Sequence, residues 1–133
     1  MSKPDTPESR RAIVASLTVL VCLSAFTVDV CLPAFPAISQ SLSVPAGDTH
    51  LIVSAYLVSY AFAQIPLGYL SEHMGRVKTL YLGLLVFLLG GLLVTFSTSL
   101  DLLLAGRFIQ GVGGAVGPVL ARAIARDISS GAE

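Results

Sequence analysis

The sequence predicts an all-α membrane protein that crosses the bilayer with four helices. Hydrophobic residues make up 54% of the 133 residues and charged residues only 12%, whereas a soluble domain carries about a quarter charged residues. The mean hydropathy is +0.82. A span needs roughly 20 mostly apolar residues, and the chain contains four such stretches. They are residues 13–38, 51–70, 79–100 and 102–121, which place a four-helix bundle over 13–128 between an N-terminal tail, 1–12, and a C-terminal tail, 129–133.

The first apolar stretch predicts a retained transmembrane helix. Arg10 and Arg11 precede it, as in a secretory signal, but it is longer than the 7 to 15 residues of a signal core. Asp29 is its only charged residue, and Pro33 lies near its far end. A proline removes a backbone hydrogen bond from a helix, so Pro33 is a candidate hinge or a helix terminator.

The second and third stretches contain no charged residue, so their polar residues are the ones that stand out. Gln64 lies deep in the second stretch, two residues before Pro66. An amide at this depth suits either a hydrogen bond between helices or a contact with a substrate.

The fourth stretch combines one charge with many glycines. Gly113 and Gly117 are spaced as a pair that lets a neighbouring helix approach closely. Positions separated by three and four residues share one helix face. One face is therefore expected to carry two polar side chains and two gaps, namely Arg107, Gln110, Gly111 and Gly114.

The distribution of basic residues predicts the topology. Four spans place both termini and the loop after the second span on one side of the membrane. Basic residues favour the cytoplasmic side, so both termini are expected in the cytoplasm. Seven of the eight Lys and Arg residues fall on this side: Lys3, Arg10, Arg11, Arg76, Lys78, Arg122 and Arg126.

Asp29 and Arg107 are opposite charges at similar membrane depth. At 1.5 Å per residue, they lie roughly 9 Å and 10 Å below the same membrane surface. Three interpretations remain open: a static ion pair that holds the bundle together, a proton-dependent network in which Arg107 tunes the protonation of Asp29, or one side chain that reaches the outer surface.

The sequence shows no pattern typical of an enzyme or a metal site. His50 and His73 are expected on opposite sides of the membrane. Cys22 and Cys31 would lie about 13 Å apart on one helix, too far for a disulfide. We expect no catalytic residues, no metal, no cofactor and no nucleic-acid partner; lipid is the expected surrounding.

Three segments resemble motifs of the major facilitator superfamily. Residues 68–78, GYLSEHMGRVK, resemble its loop between the second and third helices, where Gly, three residues, Asp, two residues and Gly-Arg recur. Residues 107–115, RFIQGVGGA, resemble its fourth-helix motif, and residues 27–36, TVDVCLPAFP, are similar to the first helix of the bicyclomycin-resistance-type (Bcr/CflA-like) drug-efflux branch.

This resemblance implies a bacterial inner-membrane antiporter that exports drug-like molecules in exchange for protons, driven by the proton gradient. Asp29 and Arg107 then match cavity residues for proton coupling and substrate, and Gln64 and Gln110 join them as polar residues at membrane depth. The resemblance assigns a gating role to Gly68, Glu72, Gly75, Arg76 and Lys78, with Asp127 as the partner of Arg76.

The sequence departs from the family pattern in residues and in length. Glu72 stands where Asp is usual, Val77 replaces a commonly basic residue, and Cys31 stands where an aromatic residue is common. Four helices are the first four of an expected twelve. We therefore expect a partial, truncated transporter that needs the missing C-terminal helices or another copy of the chain. The alternatives are a small four-helix exporter that acts as an oligomer and a non-transporting fragment that packs with partner helices.

Overall fold

The computed structural model describes residues 7–129 as six α-helices arranged in four spans. The predicted tail residues 1–6 and 130–133 lie outside the described residues. Four segments are long and apolar enough to cross a membrane, which confirms the predicted fold class. The helices are α1 (Pro7–Asp29), α2 (Phe35–Leu42), α3 (His50–His73), α4 (Arg76–Thr95), α5 (Leu100–Gly114) and α6 (Val116–Ser129).

The first span, over 13–38 by prediction, lies within one membrane-span segment, Arg11–Leu42, and is interrupted next to Pro33. Helix α1 ends at Asp29, a 3₁₀ turn covers Leu32–Ala34, and α2 follows. Pro33 has no N–H to donate to the carbonyl four residues earlier, that of Asp29, so the α-helical pattern stops there. Pro36 lies in the first turn of α2, where a missing N–H is tolerated. Asp29 is therefore the last residue of a helix.

The second and third spans differ from the predicted bounds at their ends. Helix α3 extends beyond 51–70 to His73. Helix α4 begins earlier than 79 and ends at Thr95 instead of 100. The next helix has its own start signal, because the Ser99 side chain accepts a hydrogen bond from the Leu102 N–H at 3.3 Å and caps α5.

The fourth predicted span, 102–121, lies within one membrane-span segment, Leu100–Asp127, which the structure divides into two helices. The break lies at Ala115, three residues before Pro118. Pro118 cannot donate to the carbonyl of Gly114, four residues earlier. The Ser24 hydroxyl of α1 donates to this carbonyl at 2.9 Å, so a side chain from another helix satisfies the acceptor that the proline leaves open.

We expect Ser24→Ala to destabilise the bundle by about 1 kcal/mol, the usual scale for an interhelical hydrogen bond in membranes. The buried Gly114 carbonyl would lose its donor, whereas the bond from the Tyr56 hydroxyl to the Ser24 backbone carbonyl, at 3.4 Å, would be kept. Unfolding in mixed micelles measures the change. Ser16→Ala is the control, because the Ser16 hydroxyl bonds only within α1 and is exposed; equal effects of the two variants would contradict the interhelical role.

Helix α5 packs between α3 and α4, and the glycines of α5 and α6 face different neighbours. A Cβ at Gly113 would meet the backbone of α4 at Phe87, and one at Gly117 would lie 2.9 Å from the Leu20 carbonyl of α1. The predicted pair Gly113 and Gly117 therefore does not form one surface for one helix, because Gly113 meets α4 and Gly117 meets α1.

Two apolar clusters fill the bundle at different levels. The larger lies where α3 meets the α5–α6 break and the smaller where the 3₁₀ turn meets α3 and α5. Cys31 belongs to the smaller cluster, whereas Cys22 is exposed, and both cysteines are free. The clusters consist of Ala63, Leu67, Ala115, Val116, Val119 and Leu120, and of Cys31, Ile52 and Leu103.

Candidate functional site

The turn between α3 and α4 requires a glycine at one position. Gly75 has φ +91°, a backbone conformation that side chains other than glycine rarely adopt. It immediately precedes α4, and its carbonyl accepts hydrogen bonds from the Thr79 N–H at 3.2 Å and the Thr79 hydroxyl at 3.0 Å. This geometry makes Arg76 the first residue of α4 and directs its side chain toward α6.

Arg76 and Asp127 form the contact that the family resemblance implies. The Arg76 Nη2 atom lies 3.3 Å from Asp127 Oδ1 and 3.2 Å from Oδ2, and Nε lies 3.3 Å from Oδ2. The Arg76 side chain is 17% exposed and that of Asp127 54% exposed. The pair connects the start of α4 with the end of α6. A pair this open contributes only about 0 to 1 kcal/mol, so it can bias a balanced equilibrium but not hold the fold together.

Ser71 is a partner of Arg76 that the sequence analysis did not single out. Its hydroxyl accepts a hydrogen bond from Arg76 Nη1 at 2.6 Å and donates one to the Gly68 carbonyl at 2.8 Å. Ser71 is buried, with 2% exposure. A hydroxyl has one proton to donate, and because that proton bonds the Gly68 carbonyl, a lone pair is left for the guanidinium. Ser71 therefore orients Arg76 toward Asp127.

We expect Ser71→Ala to cost about 1 to 2 kcal/mol of stability, because hydrogen bonds to charged groups are among the stronger ones. The variant leaves Arg76 Nη1 and the Gly68 carbonyl without this partner. Unfolding in mixed micelles measures the loss. Ser54→Ala on the same helix is the matched control, since the Ser54 hydroxyl is exposed and bonds only the His50 carbonyl. A Ser71 variant as stable as the Ser54 variant would contradict the orienting role.

The other predicted loop residues lie around this pair. Glu72 contacts Arg126 of α6 at 3.5 Å, with both side chains more than half exposed. Lys78 is exposed and takes part in no ion pair within residues 7–129. A Cβ at Gly68 would meet nothing within 4 Å, so no contact in the described part of the chain requires glycine there.

A second polar cluster surrounds Arg107 at membrane depth. Its Nη1 donates to the Gln110 Oε1 at 3.2 Å, and its Nη2 lies 2.9 Å from the Cys31 Sγ. Its Nε is buried and has no hydrogen-bond partner. The guanidinium thus has neutral partners and keeps one unused donor inside the bundle. Because an uncompensated charge in a membrane is costly and usually functional, the cluster is the strongest candidate for substrate or proton chemistry.

Asp29 and Arg107 do not form the static ion pair that the sequence left open. Asp29 is exposed, and no carboxylate lies within 4.0 Å of Arg107 among residues 7–129. The reason is the break after α1, since the chain turns at residues 30 and 31 and buries Cys31, not Asp29, against Arg107. The proton-dependent network remains a prediction.

Gln64 lies outside the Arg107 cluster and contacts α6. Its Oε1 accepts a hydrogen bond from Arg122 Nη2 at 2.6 Å. A cavity of about 260 Å³ between α3 and α6 is lined by Gln64 together with Ser71, Arg76 and Arg126. Gln64 is therefore close to the Arg76 pair and separate from the Arg107 cluster.

Besides Ser71, sequence reasoning missed three contact residues for different reasons. Arg122 and Arg126 counted only toward topology, although their spacing of four residues places them on one face of α6. Cys31 was considered only for a disulfide and as a departure from the family pattern. Its contact with Arg107 depends on the interrupted first span, and no sequence pattern announced it.

Comparison with known proteins agrees with these motifs. A family model described as the Major Facilitator Superfamily matches residues 17–133. The chain is 36% identical over 128 residues to the MFS-type transporter YdgK of Bacillus subtilis, covering 96% of this chain and 32% of that protein. It is 30% identical over 116 residues to multidrug resistance protein D of Escherichia coli, covering 87% and 29%. It is 35% identical over 108 residues to multidrug resistance protein MdtL of Salmonella paratyphi B, covering 81% and 27%.

The chain spans about a third of the length of these relatives. No solved structure matches it. The family model covers well over half of the chain, and the relatives are named as transporters. The chain therefore belongs to the major facilitator superfamily, a family of membrane transporters and not of enzymes.

Proposed function

We propose that this chain supplies the first four helices of a proton-coupled multidrug exporter of the bicyclomycin-resistance (Bcr/CflA-like) type. The observation that carries the proposal is the Arg107 cluster. A guanidinium with one unused buried donor lies at membrane depth, and an exposed carboxylate, Asp29, ends the neighbouring helix. Drug-like molecules would be exchanged for protons at this place, with the proton gradient as the driving force. Relatives named as multidrug resistance proteins support the substrate class.

The pair of Arg76 and Asp127 acts in this proposal as a conformational latch. It joins α4 to α6 at the end of the bundle where the basic residues collect. Its small free energy suits a switch, because a transporter must populate both of its conformations. Gly68, which has no close neighbour here, would leave room for the C-terminal helices or for another copy of the chain.

The proposed location is the bacterial cytoplasmic membrane, with both termini on the cytoplasmic side. The basic residues at one end of the bundle support this orientation through the positive-inside rule. Fusing reporter proteins to the C-terminus tests this orientation. A reporter that is active only in the cytoplasm should be active, and one that is active only outside it should be inactive.

The transport proposal is tested with a chimera in which this chain replaces the matching segment of Escherichia coli multidrug resistance protein D. In an efflux-deficient strain, we expect the chimera to lower ethidium accumulation and a protonophore to abolish this effect. Asp29→Asn should behave like the protonophore, because an amide cannot release a proton. Efflux that resists the protonophore, or that survives in the Asp29 variant, would rule out proton coupling through this residue.

A further inference from the structure

An apolar groove lies between α3 and α4, with α5 as its floor. Its volume is about 570 Å³. Aromatic and aliphatic side chains line it, and it contains neither the Arg76 pair nor the Arg107 guanidinium. Its walls include Phe62, Pro66 and Tyr69 of α3, Leu82 of α4 and Phe108 of α5.

The length of the groove matches one lipid tail. Along α3 its lining runs from Ser59 to Leu70, a distance of about 16 Å at 1.5 Å per residue. One leaflet of a bilayer contributes about half of the roughly 30 Å hydrocarbon thickness. The lining residues of α3 all belong to one membrane-span segment, Gly47–His73. An acyl chain from one leaflet therefore fits along the groove.

The charged end of the groove offers an available cation. Lys78 precedes Leu82 by four residues and so shares its face of α4. The two carboxylates in the neighbourhood already contact other cations, Glu72 with Arg126 and Asp127 with Arg76, whereas Lys78 makes no ion pair in the described part of the chain.

Aromatic rings mark the membrane boundary at the same end. Tyr69 and His73 are stacked edge to face with ring centroids 4.0 Å apart. Tyrosines prefer the headgroup level of a bilayer. The groove therefore passes from apolar side chains to an interfacial tyrosine and then to the level of Lys78.

We propose that this groove binds one acyl chain of an anionic phospholipid whose headgroup phosphate is held by Lys78. The proposal does not rest on transport and is tested on the chain itself. The chain contains no tryptophan, so a single introduced tryptophan reports on its own surroundings. Phe108→Trp places the reporter on the groove floor, and Tyr69→Trp is the second reporter should the first fail to fold.

Each variant is placed in bilayers that contain brominated phosphatidylglycerol or brominated phosphatidylcholine, whose tails quench tryptophan on contact. We expect phosphatidylglycerol to bind the groove about fivefold more strongly than phosphatidylcholine does, as measured by quenching of the groove tryptophan. This ratio follows from one basic side chain near a lipid phosphate. Lys78→Gln should abolish the preference and Arg11→Gln, at a distant helix, should leave it unchanged.

Leu88→Trp is the matched control for depth and exposure. Leu88 is 59% exposed and Phe108 49% exposed, and both lie about 10 to 12 Å from the helix ends that meet at the α4–α5 turn. We expect no lipid preference at Leu88. Equal quenching by both lipids in the groove, or a preference that persists in Lys78→Gln, would overturn the proposal. Absence of quenching by either lipid would also overturn it, because another protein segment or a second copy would then fill the groove.

Discussion

Gly113→Val should cost about 3 kcal/mol or more of stability, at the upper end of what overpacking costs. A Cβ at this position would fall against the backbone nitrogen of Phe87 and 2.6 Å from the Gly83 carbonyl. Backbone atoms cannot turn away as a flexible side chain can, so α4 and α5 would have to separate. Since close packing is a main source of helix association in membranes, the variant should unfold at lower SDS in mixed micelles.

Gly68→Ala is the matched control for this prediction. Gly68 is also a helical glycine, but a Cβ there would meet nothing within 4 Å. Alanine is favoured over glycine in helices by about 1 kcal/mol, so this variant should be as stable as the parent chain or slightly more stable. If the Gly113 variant unfolds at the same SDS content as the Gly68 variant, α4 and α5 do not pack as closely as the structure has them.

Arg107→Ala should reduce drug efflux by the chimera to background, with at least about a tenfold loss that corresponds to 1.4 kcal/mol. The change removes the donors to Gln110 and Cys31 and the positive charge at membrane depth. Arg107→Lys should not restore efflux, because a lysine ammonium cannot reproduce the forked geometry that reaches two partners at once. Ethidium accumulation and substrate-induced proton release measure the two variants.

Arg11→Gln controls for a general loss of positive charge, since Arg11 is exposed and far from the cluster in sequence. The amount of folded chimera in the membrane must be equal in all variants. Removal of a charge with neutral partners from a membrane should not unfold the bundle. Wild-type efflux in Arg107→Ala, at equal expression, would exclude Arg107 from the transport site.

Local signals predicted the ends of some elements but not the interruptions of the spans. Gly75 and Arg76 marked the turn between α3 and α4 because glycine and a charged residue are both unfavourable inside an apolar helix. Pro33 was recognised as a possible hinge, whereas the break that precedes Pro118 was not predicted. Whether a proline breaks a helix depends on which neighbour satisfies the freed carbonyl, and for Gly114 that neighbour is Ser24.

The candidate site was predicted unevenly for the same reason. The contact of Arg76 with Asp127 came from a family resemblance, and the structure forms it. Arg107 was recognised because a charge in an apolar run is conspicuous. Asp29 was one possible partner, and in the structure its partners are Gln110 and Cys31. Gln64 was grouped with Arg107 by depth alone, although it contacts Arg122 of another helix.

The sequence by itself determined the number of spans, the side on which the basic residues collect and the positions of the conspicuous polar residues. These follow from composition and spacing along one chain, because the bilayer selects apolar stretches about 20 residues long. The tertiary structure alone decided which partners meet. The helices are interrupted at residues 30–31 and at Ala115. Contacts such as Ser24 with Gly114 and Cys31 with Arg107 depend on how separate helices are rotated against each other, which no local pattern encodes.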